Sequence, residues 1–522
     1  MHLGCIRGEP VAVCSRHAYR IPERPRLKIV HIRPAGGVRR AGPGPRGRYP
    51  APVTGRPDLL ITGGTVVRAD GSRRADIAIR GGRIEAVEPD LAGLRANARE
   101  SIDATGLLLL PGAVDVHTHT RVATDAEPDR FFQDSLAAAF GGTTTFLSFN
   151  NPGTGSSPAA ERSLLTGVRE WRAATDRDSA IDIGLSLAVS GHCDDPLAEL
   201  PATIDAGVAT SKAFMVFDFR LPDERLYEAM RLMARHGGML QVHCEDPVLL
   251  DAAVADALQR GDVLPRYHAT TRPPLVEAVA TARALAFARQ AEAPVHVVHL
   301  SSAMALDEVR RAKAAGVRVS AETCPHYLTF TDAVYDEPDP VACACYVISP
   351  PLRAAADRDA LWEGLADGSL DLVATDHVPD RMAVEKGDAA RGVPFNEISN
   401  GAPGIETLLA VLYGRGVATG RITVERMVDL IATTPARRFG LGTKGSLDVG
   451  KDADIVLFDP ALTRTIHAAD LHHTSDYTPY EGMEVAGAVR SVVVRGAAVI
   501  RDGAFVGRRG FGRFIERGPV AG

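Results

Sequence analysis

Val114-Asp115-Val116-His117-Thr118-His119 follows an apolar run, Leu107 to Leu110, and the break Pro111-Gly112. Read as a β-strand, this stretch puts His117 and His119 on one face, about 7 Å apart, because successive side chains alternate. Two imidazoles at the end of a strand of otherwise apolar character suit a borderline-soft divalent cation, zinc above all. Two half-buried polar residues on an edge strand would give the same pattern. The choice between these depends on whether other strands end in the same way.

Seven further apolar runs follow, at residues 144–149, 181–189, 210–217, 239–243, 295–299, 317–322 and 372–376. Between them lie stretches with helical spacing, among them 223–236, 274–290, 303–315 and 357–366. Strands alternating with helices predict βα units on a parallel sheet. Eight such units predict an α/β fold, a (β/α)8 TIM-like barrel over residues 111–436, with its active site at the C-terminal strand ends. An open doubly wound sheet is the alternative.

On the barrel reading, the strand ends carry His117 and His119 (first), Lys212 (fourth), His243 (fifth), His299 (sixth) and Asp376 (eighth). Any one of these could be an ordinary core or surface residue. Together at one end of one barrel they form a candidate metal site. Lys212 is the odd member, since an ammonium has no lone pair and is repelled by a cation. Desolvated and with a lowered pKa it becomes a free amine. Addition of CO2 then gives a carbamate whose two oxygens bridge a metal pair. A lysine paired with Asp or Glu is the ordinary alternative.

The flanks differ from the barrel in texture. Residues 58–110 carry short strands and glycine turns (59–61, 65–67, 76–79, 83–87) that read as an antiparallel meander, and similar strands return within 437–500. Both chain ends are expected to close into one β-sandwich, with 501–522 as a C-terminal tail. Residues 1–57 hold 8 Gly, 9 Pro and 12 Lys/Arg against 2 Asp/Glu, so this segment is +10 in a chain of net −6. It is expected to be disordered, for want of apolar surface to bury. The acidic remainder argues against nucleic acid as a partner. No apolar run approaches the ~20 residues of a membrane span, and a cytoplasmic location is the default. The seven cysteines form no C-x-x-C pair, which argues against a disulfide framework.

These residues sit in motifs that resemble the cyclic amidohydrolase superfamily, within it the dihydropyrimidinase/hydantoinase family. The motifs include Asp115-Val116-His117-Thr118-His119, Ser211-Lys212-Ala213-Phe214-Met215, Gln241-Val242-His243, Val297-Val298-His299-Leu300-Ser301, Glu322-Thr323-Cys324-Pro325, Ser349-Pro350-Pro351, Ala374-Thr375-Asp376-His377, and Asn400-Gly401-Ala402-Pro403-Gly404. The resemblance implies hydrolysis of a cyclic amide, a 5,6-dihydropyrimidine or 5-substituted hydantoin, to an N-carbamoyl amino acid. It implies two Zn2+ per chain, bridged by N6-carboxylated Lys212. His117, His119 and Asp376 would hold one ion, and His243 and His299 the other. Asp376 would also be the catalytic proton carrier, and Ser349 and Asn400 would bind the substrate through their main chain. A homotetramer is implied, with the C-terminal tail in its contacts. An allantoinase-like ureide hydrolase and a non-catalytic scaffold paralogue are the alternatives. Two departures stand out. Phe217 occupies the position of a tyrosine whose hydroxyl holds the developing oxyanion, and the loop Arg121-Val122-Ala123-Thr124-Asp125-Ala126-Glu127-Pro128 is polar where an apolar lid is usual.

Overall fold

The computed structural model describes residues 55–150, 162–387 and 391–520. All but the last three residues of the expected tail 1–57 therefore lie outside the described residues. Eight strands form one parallel sheet in sequential order: β1 Ala113–Thr118, β2 Thr143–Asn150, β3 Asp182–Val189, β4 Thr210–Phe214, β5 Met239–His243, β6 Val295–Val297, β7 Val319–Thr323 and β8 Leu372–Val373. The sheet curls into a nearly closed barrel. Thr118 at the end of β1 bridges in parallel to His377, which bridges to Ala402, and the His119 N–H donates to the His377 carbonyl at 2.7 Å. The strands are apolar on both faces because helices cover the outside while side chains fill the inside. Pro111-Gly112 is a close approach: a Cβ on Gly112 would lie 2.0 Å from the Thr144 hydroxyl oxygen, so only glycine lets β1 start beside β2.

The connecting helices form where the spacing predicts. Asp223–Arg235 buries Leu226, Ala229, Met230 and Met233, one apolar stripe at 3.6-residue spacing. Ala303–Ala314 begins at Ser302, whose hydroxyl accepts the Ala305 N–H at 3.2 Å.

Both chain ends contribute to the flanking sheets, but not as a simple meander. A four-stranded sheet runs in the order Arg83–Glu88, Asp76–Arg80, Leu59–Thr62, Glu100–Asp103. A seven-stranded sheet runs Ala504–Phe505, Ala497–Arg501, Glu484–Val494, Ile455–Thr465, Leu108–Pro111, Thr65–Arg68, Gly71–Arg74. Leu59–Thr62 and Thr65–Arg68 thus separate into different sheets, and each gains a parallel neighbour from later in the chain. Their inner faces share a core that includes Ile61, Val66, Ile77, Leu109, Ile455 and Val493. The apolar run before Pro111 is therefore a sandwich strand, registered on Ile455–Phe458, that leads directly into the barrel.

Three barrel strands stop short of the sequence expectation. The ladders end at Phe214, Val297 and Val373, before Phe217, His299 and Asp376. Those three residues have positive φ values of 74°, 37° and 50°. A non-glycine residue in this region cannot continue an extended strand, and each costs about 1–3 kcal/mol that the surrounding packing must offset.

Candidate metal centre and active-site cavity

The six strand-end residues converge at the carboxyl end of the barrel, and all are buried: His117 0%, His119 8%, Lys212 1%, His243 2%, His299 2% and Asp376 6% exposed. The nitrogen and oxygen atoms of His117, His119 and Asp376 lie within 4.8 Å of one another. Asp376 Oδ1 is 3.1 Å from Nε2 of each imidazole. The second pair faces itself, with His243 Nδ1 at 3.0 Å from His299 Nε2. Lys212 Nζ lies 2.7 Å from His117 Nε2, between the two groups.

Carboxylates behind the histidines fix which nitrogen faces inward. His117 Nδ1 is held by Glu322 Oε1, and the other Glu322 oxygen is 2.9 Å from His296 Nε2. His243 Nε2 is 2.8 Å from Glu245 Oε2, and the Arg272 guanidinium lies beyond at 3.4 Å. Each carboxylate takes the N–H of its imidazole and leaves the lone pair of the opposite nitrogen aimed at the centre, the polarity of a metal ligand. Burial opposes the charge on Glu322, but His117 and His296 still hold its carboxyl down to about 2. Burial likewise opposes the Asp376 charge, and His117 and His119 hold its carboxyl well below the usual range. Asp115 ties the first strand to the last by accepting the Thr375 N–H at 3.2 Å and its hydroxyl at 2.5 Å.

Lys212 sits in a poor environment for an ammonium. Phe149 and Phe214 present their rings 4.7 and 4.9 Å from Nζ, and among the described residues no carboxylate makes an ion pair with it. Burial pushes its pKa down to about 8, which brings the free amine far closer to reach at neutral pH than in an ordinary lysine. The donor set fits a pair of divalent cations: two groups of inward lone pairs, a carboxylate shared by two imidazoles, and a buried amine between them.

A cavity of about 270 Å³ opens over this centre. His119, Lys212, His243, His299 and Asp376 form its floor, with His117 beneath them. Phe214, Phe217 and Phe219 form one wall; Ser349, Ser399, Asn400 and Gly401 form the other. All nine residues singled out from the sequence thus meet at one place. Glu245, Glu322, Phe219 and Arg121 complete it and were not singled out. Glu322 lies in a quoted motif, and Glu245 follows His243 by two residues, but no local pattern tells a carboxylate that orients a ligand from one on the surface. Arg121 lines the cavity and pairs with Asp380, and with Glu385 at 2.8 Å. Arg130, Arg381 and Glu127 extend the pairing, so the polar loop after β1 is fastened to the loop after β8 by charge.

A parallel eight-stranded barrel with a His/His/Asp cluster and further histidines at its carboxyl end has the architecture of a barrel hydrolase. The chain belongs to the amidohydrolase family, whose profile matches residues 108–499. It is 38% identical to a D-hydantoinase of Ralstonia pickettii over 466 residues, covering 88% of this chain and 99% of that one. It is 37% identical to a D-phenylhydantoinase of Escherichia coli K12 over 469 residues, covering 88% and 98%. The crystal structure of dihydropyrimidinase from Brevibacillus agri superposes with a TM-score of 0.83 at 39% identity, covering 89% of this chain and 99% of that one.

Proposed function

We propose that this protein hydrolyses a cyclic amide, a 5,6-dihydropyrimidine or 5-substituted hydantoin, to the N-carbamoyl amino acid. The observation that carries the reading is the buried Lys212 amine between two groups of inward-facing ligand atoms, in a chain whose relatives are named for cyclic amides. His117, His119 and Asp376 would hold one zinc ion, His243 and His299 the second, and N6-carboxylated Lys212 would bridge them. Two such ions, when bound, would supply water with a pKa lowered towards about 7 and a polarised amide carbonyl.

The protein's own groups do the rest. Asp376, kept ionised by its histidines, takes the proton of the attacking water and returns it to the departing ring nitrogen. Ser349 and Asn400 hold the ring by their main chain against the polar wall. Phe214, Phe217 and Phe219 exclude water from the opposite side. A homotetramer, which rests on the resemblance alone, and a cytoplasmic location, the default expectation from the sequence, belong to the same proposal.

Metal analysis together with a substrate panel tests this. Close to two zinc or similar ions per chain are expected, because five side chains and a bridge exceed the ligands of one tetrahedral zinc. Turnover is expected on dihydrouracil or hydantoin in preference to allantoin. One ion or none at full activity would remove the two-metal reading, and turnover of allantoin alone would move the protein to ureide hydrolysis.

A further inference from the structure

Lys386 is a fully buried cation outside the metal centre, in the segment that follows β8. Among the described residues no carboxylate lies within ion-pair distance of it. Its three N–H groups go instead to three carbonyls: Ala344 at 3.2 Å, Val347 at 3.0 Å and Ser399 at 2.9 Å. An ammonium buried this way loses its hydration and keeps carbonyl dipoles and the longer-range attraction of the buried Asp380 carboxylate in exchange, an expensive arrangement for a position that a methionine of similar length could fill. Burial pushes its pKa down to about 8, which leaves it largely protonated at neutral pH.

The carbonyls belong to two segments that meet at the cavity. Residues 344–347 lead into Ser349, and Ser399 precedes Asn400. The Val347 carbonyl also accepts the Gly401 N–H at 3.0 Å, and the Ser349 hydroxyl donates to Asn400 Oδ1 at 2.8 Å. Gly401 has φ 120° and its Cβ would lie 2.3 Å from a Val378 methyl, so the second segment is also confined from behind. Lys386 therefore ties together the two segments of the polar wall, beside the direct hydrogen bonds between them.

We infer that Lys386 is a positioning residue for the substrate: by clamping the Val347 and Ser399 carbonyls it sets the spacing at which the Ser349 and Asn400 main chains grip the two amide groups of the ring. This rests on the proposed role of that wall. A grip on the ring is made equally in the ground and transition states, so its loss falls on KM and spares kcat.

The test uses the full-length, metal-loaded protein and whichever of dihydrouracil and hydantoin the wild type turns over. If the wild type turns over neither, the functional reading fails, and that failure is distinct from failure of the clamp. Lys386→Met is expected to raise KM about tenfold, about 1.4 kcal/mol, with kcat and metal content kept. Lys386→Arg, which keeps charge and donors, should recover part of the loss. A lower melting temperature with KM unchanged would make Lys386 purely structural. A fall in metal content or kcat with KM unchanged would assign it to the centre, and either result overturns the inference. If Lys386→Met does not fold, Lys386→Gln decides: its two N–H donors satisfy two of the three carbonyls, so KM should rise about threefold, and an unchanged KM rejects the clamp.

Discussion

Lys212 and Lys444 are almost equally buried, 1% and 3% exposed, at opposite ends of the barrel. Lys444 Nζ lies 2.5 Å from Asp182, 2.7 Å from Asp454 and 3.2 Å from Asp452. Asp182 opens β3, and it also forms an ion pair with the Arg495 guanidinium and accepts the Arg513 N–H. This floor joins barrel, sandwich and C-terminal segment: Ile183 exchanges main-chain hydrogen bonds with Arg513 and Ile515, and the buried Arg517 donates to Thr210 and to the Leu185 carbonyl. At the mouth, Lys212 has aromatic faces and an imidazole nitrogen in place of carboxylates. One lysine is matched by opposite charge and fastens parts of the fold. The other is unmatched and is pushed towards the reactive amine. Burial is common to both, so the partners, and not the burial, distinguish a site from a brace.

The sharpest way to break this contrast is to remove each amine in turn. Lys212→Ala should abolish turnover. Residues that merely orient a ligand cost about 10–100-fold when lost, and a bridging group should exceed that, with a loss beyond about 10³-fold. Metal content should fall as well, and short carboxylic acids should restore part of the activity by replacing the bridge. A Lys212→Ala protein that remains active without such acids ends the carboxylation reading. Lys444→Met should behave in the opposite way. It strands buried carboxylates without their cation and should destabilise the fold by about 3–5 kcal/mol, seen as a lower denaturant midpoint, while the folded fraction keeps its KM and metal content. If Lys444→Met instead loses metal at unchanged stability, the floor and the mouth are not separate in function.

The same contrast explains what the sequence could reveal. Each of the eight barrel strands is visible as an apolar run, because a parallel sheet buried on both faces needs β-branched and aliphatic residues throughout. Six polar residues at the ends of such runs are conspicuous for the same reason. The strand ends were less legible: His299, Asp376 and Phe217 look like strand continuations, and their positive φ reflects tertiary packing that overrides local pattern. The parallel pairings of the sandwich join residues far apart in the chain and leave no local signal. Lys386 and Lys444 could not be told from surface lysines, since their partners come from 8 to 262 residues away and follow no helical or strand spacing.

Phe217 offers the finest test of the mouth. Its φ of 74° turns the chain just past β4, and its ring lies 5.3 Å from the His243 ring and 5.5 Å from Phe219, on the cavity wall. No tyrosine lines that cavity among the described residues. The resemblance expects a phenolic hydroxyl here to hold the oxyanion that forms as the amide carbonyl is attacked, and phenylalanine cannot donate. Loss of one such donor elsewhere costs about 10²–10³-fold in turnover. Phe217→Tyr restores the donor at a position whose backbone is already set and whose cavity has room for one more oxygen. It should raise kcat on dihydrouracil about tenfold, less than the full cost of a lost donor because the surrounding groups were not selected to align it. KM and metal content should stay unchanged, because the oxyanion exists only in the transition state. If the aromatic wall instead serves a different cyclic amide, the new hydroxyl meets apolar surface, loses its hydration without a partner and costs about 1–3 kcal/mol. The two accounts predict opposite signs, so kcat of both forms on dihydrouracil separates them: a value in the tyrosine variant equal to or below that of the parent removes the missing-donor account.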